Sequence, residues 1–262
     1  MNNFTQGKQL YLPVQIKLEN KFEHYLGHAN SQAVDALKLF IDQSTETLLF
    51  LVGPEAVGKT HLLSAALHYF DEKNSFGNSH SEPMQESQAG YFSLAELDGE
   101  SLDQNALDEL SVFLEGYDFL ALDDLDLWLE SFESDHSNTR ALAERFLFVL
   151  FNYFKEHHKQ LLIASKTVPA HLNIHLNDLK SRLASGLLVT MTKLNDHEKD
   201  QLIRASAKIR GFLLDDEVSA YILKRSGRDL PNLLNILEKL DQASLIEKRK
   251  LTVPFVKKIL NW

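Results

Sequence analysis

The sequence predicts an α/β fold: a parallel β-sheet with helices on both faces, followed by a small all-helical domain. Three observations carry that expectation. A short apolar run, LLFLV at residues 48 to 52, leads directly into the glycine loop GPEAVGKT (53–60) and then into the helix-patterned HLLSAALHYF. Further short apolar runs alternate with helical stretches, the pattern that brings successive strands into one parallel sheet. From about Lys193 no strand pattern remains and the chain reads as amphipathic helices.

The first segment, residues 1–20, is a polar tail that nevertheless carries Leu10, Tyr11, Leu12, Pro13 and Val14 in a row within KQLYLPVQI. Apolar anchors on such a tail fit either a hydrophobic groove on a partner or an edge strand packed on the chain's own core. A second unit spans residues 21–192. Its LLFLV run is continuous rather than alternating, as in a strand buried on both faces. In the loop, Gly53 and Gly58 allow the backbone to wrap closely so that its N–H groups face phosphate oxygens, and the following helix adds its N-terminal dipole. Ala56, Val57 and His61 complete the loop and the first helical turn. Lys59 is placed to reach the β- and γ-phosphates of a nucleotide, and Thr60 to offer its hydroxyl to Mg²⁺. Leu62, Leu63, Ala66 and Leu67 form the helix's core face. The stretch DEKNSFGNSHSEPMQESQ (71–88) is expected to be a surface loop.

Strand patterns follow at GYFSL (90–94), YDFLALDDLD (117–126), QLLIAS (160–165) and GLLVTM (186–191), with TRALAERFLFVLFNYFKEHH as a long helix between the second and third. YDFLALDDLD places Asp123 and Asp124 at the carboxyl end of a strand, the edge where ligands bind in an open parallel sheet. Asp123 suits a water-mediated hold on Mg²⁺, and Asp124 suits orienting or deprotonating an attacking water. The last unit, 193–262, comprises helical patterns over DHEKDQLIRASAKIRG, DDEVSAYILKRS and LPNLLNILEKLDQASLIEKRK, then a short PFVKKIL. Leu233, Leu234, Leu237 and Leu240 are its expected core. His171 and His175 lie four apart, but no carboxylate completes a metal-ligand pattern around them, so packing or surface roles are expected.

Composition narrows the function. At 262 residues and 44% hydrophobic, the chain can bury a large core. Without cysteine it forms neither disulfides nor thiolate metal sites. Lacking a signal-peptide pattern and an apolar run of about 20 residues, it is expected in the cytoplasm with no membrane partner. A net charge of -10, from 27 basic and 37 acidic residues, argues against direct binding to nucleic acid.

A glycine-loop sheet followed by a helical lid, with arginines in KSRLASG (180–186) and GRDLPNLLNIL (from Gly227), resembles the AAA+ family. Within it, KSRLASG, the acidic pair of LALDDLD and RKLTVPFVKKIL resemble the bacterial initiator DnaA and the shorter Hda family, the DnaA-related AAA+ regulatory inactivators of DnaA. The likeness covers nearly the whole chain. It implies that Ser165 is the first sensor, that Arg182 is an arginine finger reaching a neighbouring subunit's nucleotide, and that Arg228 is the second sensor. It implies a nucleoside di- or triphosphate with Mg²⁺, ADP or ATP first among the choices, with Phe22 and Tyr25 as candidates to pack on or beside a base that the sequence does not fix as adenine. QLYLPV resembles the peptide by which such proteins dock on the DNA polymerase sliding clamp, with Gln9, Leu10, Leu12 and Pro13 as the matching positions. Where DnaA continues into a DNA-binding domain this chain is expected to stop, so contact with DNA would be indirect.

The implied function is that of a nucleotide-bound regulator which, with the DNA-loaded clamp, promotes hydrolysis of ATP bound to DnaA through a finger supplied in trans. Such a protein activates a partner's hydrolysis more than it catalyses its own. Lys166 stands where DnaA has an acidic residue after the sensor serine, a departure that bears on hydrolysis in the chain's own site. A freestanding AAA+ ATPase resembling a helicase loader, a clamp-binding adaptor and a small-molecule kinase with the same glycine loop are the alternatives. The family habit of setting one subunit's finger beside the next subunit's nucleotide leaves a homo-oligomer open.

Overall fold

The computed structural model describes residues 21–25, 28–76, 88–97, 102–132, 139–226, 230–247 and 250–262. The tail positions Gln9, Leu10, Leu12 and Pro13, and Arg228, lie outside the described residues. Two short 3-10 turns, Phe22–His24 and His28–Asn30, lead into helix α1 (Ser31–Gln43). Strand and helix then alternate: β1 (Leu48–Val52), α2 (Lys59–Phe76), β2 (Ala89–Ser93), α3 (Gln104–Glu115), β3 (Phe119–Asp123), α4 (Leu125–Ser131), α5 (Thr139–Glu156), β4 (Gln160–Ser165), α6 (Asn177–Ala184) and β5 (Leu187–Thr190). Four helices follow: α7 (Asp196–Ile209), α8 (Asp216–Arg225), α9 (Leu230–Glu247) and α10 (Val253–Leu260).

The five strands form one parallel sheet in the order β2-β3-β4-β1-β5. Its register aligns the carboxyl ends. Val52 pairs with Ser165 on one side and Thr190 on the other, and Ser93 pairs with Asp123. Loops leaving β1, β3 and β4 therefore open on one rim.

Each inner strand is buried on both faces, as its continuous apolar run requires. Leu48, Phe50 and Val52 face a layer containing Leu110, Trp128, Leu147 and Phe151, contributed by α3, α4 and α5. Leu49 and Leu51 face the opposite layer, with Leu37 and Ile41 of α1 and Leu62, Leu63, Ala66 and Leu67 of α2. The C-terminal helices enclose a separate cluster: Ile203 of α7, Ile222 of α8, Leu233, Leu237 and Leu240 of α9, and Val256 of α10. Leu234 packs half-buried against it.

The fold class matches the sequence expectation, with one correction and four additions. Residues 71–76, expected in a surface loop, continue helix α2. Polar side chains hold that last stretch through bonds that composition does not reveal: the Asn74 amide donates to the Phe70 carbonyl at 3.0 Å, and the Lys73 ammonium to the Ile41 carbonyl at 3.1 Å. The second bond ties α2 to the end of α1. Helices α1, α3, α4 and α6 are additional to the elements predicted.

Phe119 shows how tightly the sheet centre is packed. It is fully buried, stacks on Phe70 at 5.1 Å and meets Phe40 at 6.4 Å. Phe119→Ala is expected to cost about 3–5 kcal/mol in the urea unfolding of the α/β unit. Val112→Ala, at a position 71% exposed, should change it by no more than about 0.5 kcal/mol.

Candidate nucleotide-binding site

The site is built at the rim where β1, β3 and β4 end. The chain leaves Val52 with the Gly53 N–H donating to the Ser165 carbonyl at 3.1 Å, which fixes the loop to β4. Ala56 (φ 62°) and Gly58 (φ 95°) take left-handed backbone conformations. An alanine held there carries about 1–3 kcal/mol of strain, a cost found where a loop is shaped for binding. At Gly58 there is also no room for a side chain, since a Cβ would stand 2.9 Å from the Tyr25 ring. Helix α2 begins at Lys59, so its first amides have no partner within the helix and point into the loop.

Lys59 folds back over the loop. Its ammonium donates to the carbonyls of Gly53 at 2.7 Å and Pro54 at 3.0 Å. Burial pushes its pKa down, opposed by the carboxylates of Asp123, Asp126 and Asp124. The Thr60 hydroxyl donates to Asp123 Oδ2 at 2.6 Å, so the two groups proposed for one metal ion meet across the sheet. Asp123 is buried and also accepts from Tyr91 Oη at 3.2 Å and the Asp124 N–H at 2.9 Å. Buried beside these carboxylates, the Tyr91 phenol is pushed far above its ordinary range and stays a donor.

Asp124 stands at the N-cap position of α4 in a left-handed conformation (φ 59°), without a side-chain capping bond, and accepts from the Ser93 hydroxyl at 3.2 Å. Its pKa is raised by burial and then by the Asp123 carboxylate beside it. A carboxylate so raised is a better proton acceptor than an ordinary aspartate. Ser165 is fully buried at the end of β4, where its Oγ accepts from the Thr167 N–H at 3.2 Å. Lys166 reaches back to the loop, with its ammonium 2.5 Å from Glu55 Oε1 and 3.9 Å from Asp126 Oδ2. The glycine loop and Lys59 thus suit a polyphosphate, and the Thr60–Asp123 pair suits Mg²⁺.

The two aromatic residues expected beside the base occupy different places. Phe22 is buried edge-on against Tyr69, 5.7 Å away, beneath the Lys38 ammonium. Tyr25 lies over the loop beside His61, its ring 5.7 Å from that imidazole, and its hydroxyl donates to the Val57 carbonyl at 3.1 Å. The sequence reading missed the residue behind it. The Asn30 amide donates to Tyr25 Oη at 3.1 Å and to the Thr192 carbonyl at 3.0 Å, while its oxygen accepts from the Thr192 N–H at 2.8 Å. One side chain links the phosphate loop to the segment between β5 and α7. An isolated asparagine before a helix gives no sign of this, because its partner lies 162 residues away.

Arg182 is set apart from the loop. It sits on α6 with its guanidinium 4.9 Å above the Phe148 ring and 5.7 Å from that of Phe151, both on α5. Among the described residues no carboxylate pairs with it.

Comparison with known proteins gives consistent matches. The model of the family described as the bacterial DnaA ATPase domain matches residues 16–190, and that described as the Hda lid domain matches residues 196–260. An uncharacterized protein of Haemophilus influenzae is 32% identical over 256 residues, covering 97% of this chain and 99% of that one. Domain III of the replication initiation protein DnaA from Thermotoga maritima superposes with a TM-score of 0.76 at 20% identity, over 94% of this chain and 98% of that one. Replication initiator DnaA bound to AMPPCP and single-stranded DNA superposes at 0.66 and 22% identity, over 89% and 69% of the respective chains. At such identities the structural likenesses establish the fold.

Two outcomes test this site. Gly58→Ala combines an unfavourable φ with the Tyr25 contact, and should weaken ADP binding in calorimetric titration by about tenfold or more. Undiminished affinity would place the ligand elsewhere. The raised pKa of Asp124 means that folding favours its neutral form, a contribution present below the ordinary carboxylate value and lost as pH rises through the folded-state value. Asp124→Asn should therefore stabilise the nucleotide-free protein at about pH 7 and lose that advantage near pH 4, read as urea midpoints at the two values.

Proposed function

The chain belongs to the bacterial DnaA ATPase family, with an Hda-type lid behind that domain, and we propose that it regulates replication initiation by supplying Arg182 in trans to ATP held by DnaA. The observation that carries this reading is the presentation of Arg182. Its guanidinium lies on the aromatic surface of α5, half-buried, with no carboxylate partner among the described residues. An unneutralised arginine keeps its forked donors available to phosphate oxygens of another subunit, where developing charge gains most from them.

In its own site the protein holds ADP or ATP. The loop amides from Glu55 to Thr60 and the Lys59 ammonium bind the phosphates. The Thr60 hydroxyl and the Asp123 carboxylate hold Mg²⁺, which supplies charge neutralisation on the phosphate oxygens. Ser165 fixes the strand end beside the loop and Tyr25 shields its outer side, while the role of second sensor is given to Arg228, outside the described residues, by the family resemblance alone. Turnover of this nucleotide is slow in the proposal, because Lys166, tied to Glu55 and Asp126, brings a cation to a position where DnaA carries an acid. The nucleotide then serves to set the shape in which Arg182 is offered.

The tail motif of Gln9, Leu10, Leu12 and Pro13 docks the protein on the DNA-bound sliding clamp in the cytoplasm, so that DNA is approached through the clamp despite the net charge of -10. Docking raises the local concentration of the finger near DnaA.

The test is ATP hydrolysis by purified DnaA in the presence of this protein and clamp loaded on DNA. Replacing Arg182 by alanine should reduce the stimulated rate on the order of 10³-fold, and Arg182→Lys should not restore it, since an ammonium lacks the planar fork. Equal stimulation by the Arg182→Ala protein would overturn the proposal. DNA-stimulated hydrolysis in the absence of DnaA would instead favour a freestanding ATPase.

A further inference from the structure

A buried carboxylate outside the nucleotide site has a geometry that bears on Arg182. Glu144, on α5, is 2% exposed, and both of its oxygens are engaged. The His175 N–H donates to Oε1 at 3.0 Å and Oε2 at 3.1 Å, and the Leu176 N–H donates to Oε2 at 2.7 Å. Arg140, one turn earlier on the same helix, donates to Glu144 Oε1 at 3.3 Å and to the Asn173 carbonyl. Leu176 is the N-cap residue of α6 and has no side-chain group able to cap it. Glu144 thus holds, from the neighbouring helix, the N-cap N–H that the Glu of a capping box would hold locally, together with the N–H of the residue before it.

Along α5, Phe148 follows Glu144 by four residues and Phe151 follows Phe148 by three, so the three side chains share one face. The face that secures the start of α6 is thus the face on which the Arg182 guanidinium rests, two turns further along that helix. Leu179 and Leu183 of α6 are buried in the same layer as Leu147 and Phe151, which leaves α6 little freedom to slide without breaking the Glu144 bonds.

We propose that Glu144 and Phe148 are positioning residues for Arg182: Glu144 fixes the axial register of α6 through the His175 and Leu176 amides, and Phe148 holds the guanidinium extended at the surface. The inference rests on the reading of Arg182 as a finger supplied in trans. A carboxylate suits the first task because it accepts several N–H bonds at once and each is strengthened by its charge. An aromatic ring suits the second because it orients the guanidinium plane without consuming its donors.

The test uses the full chain in the clamp-dependent DnaA assay, together with the side-chain Nε–H resonance of Arg182, which the Phe148 ring shifts upfield while the stack persists. Glu144→Gln keeps the shape but loses the charge and turns an amide toward the backbone N–H groups. It should lower the maximal stimulated rate on the order of 10²-fold, the effect of roughly 1 Å of misplacement, leave the concentration for half-maximal stimulation unchanged, and move the Arg182 resonance. Phe148→Leu, at a half-buried position that leaves the Glu144 bonds intact, should do the same if Glu144→Gln proves too unstable to purify. Phe148→Tyr should restore both readouts. In an Arg182→Ala background, neither substitution should reduce the rate further.

Stimulation at the wild-type level in both Glu144→Gln and Phe148→Leu, with Arg182→Ala inactive, would overturn the positioning roles and leave the finger standing. Full stimulation by Arg182→Ala would remove the finger itself. The resonance would then decide the positioning claim alone: an unmoved Arg182 signal in Glu144→Gln refutes it, and a moved signal sustains it.

Discussion

The common register of five parallel strands is the constraint on which the other features depend. Pairing of Val52 with Ser165 and of Ser93 with Asp123 brings the ends of β1 and β4, and of β2 and β3, level in pairs, so that loops distant in sequence open side by side. A shift of one residue along β3 would turn Asp123 into the apolar layer and remove the acceptor for the Thr60 hydroxyl. The register is held from both faces. Alternate residues of β1 enter two different apolar layers, and a slip would exchange every one of them between layers already filled.

Charge at the rim is arranged by local bonds more than by totals. Asp123, Asp124 and Asp126 crowd the end of β3, and among the described residues Lys59 and Lys166 approach them with positive charge. Each acid survives there because it accepts bonds: Asp123 from Thr60, Tyr91 and a backbone amide, Asp124 from Ser93, Asp126 from the Lys166 N–H at 2.9 Å. Attraction for an anionic ligand therefore falls to the loop amides, the dipole of α2 and the Lys59 ammonium, which act at contact distance and do not depend on the sign of the whole molecule.

Sequence alone made legible those parts in which the physics is local. GPEAVGKT needs only its neighbours to specify a phosphate loop, and LALDDLD only its own apolar run to place two acids at a strand end. Continuous apolar runs marked the inner strands for the same reason. Parts that rest on distant partners were not legible. Asn30 acts through Thr192, Glu144 through His175 and Leu176, and neither spacing follows any helical or strand period. The C-terminal stretch of α2 was hidden differently. Its composition is that of a loop, and tertiary bonds from Lys73 and Lys21 to α1 and to Glu72 accompany the helix where propensity favours it least. Phe22 and Tyr25 read alike as aromatic residues near the loop, and only packing distinguishes the ring sealed against Tyr69 from the one that covers Gly58.

The Asn30 carboxamide gives and takes a hydrogen bond with the same residue, Thr192, just as the peptide group of a neighbouring strand would. It lies past the end of β5, the outermost strand on that side, where Leu187 and Leu188 are exposed. Such an edge is a template on which unrelated chains stack during refolding or at high concentration. By occupying the backbone groups beyond a strand of only four residues, the amide shortens the free ladder that an intruding strand could extend. A contact that serves the phosphate loop from one end thus covers backbone groups beside an exposed sheet edge at the other.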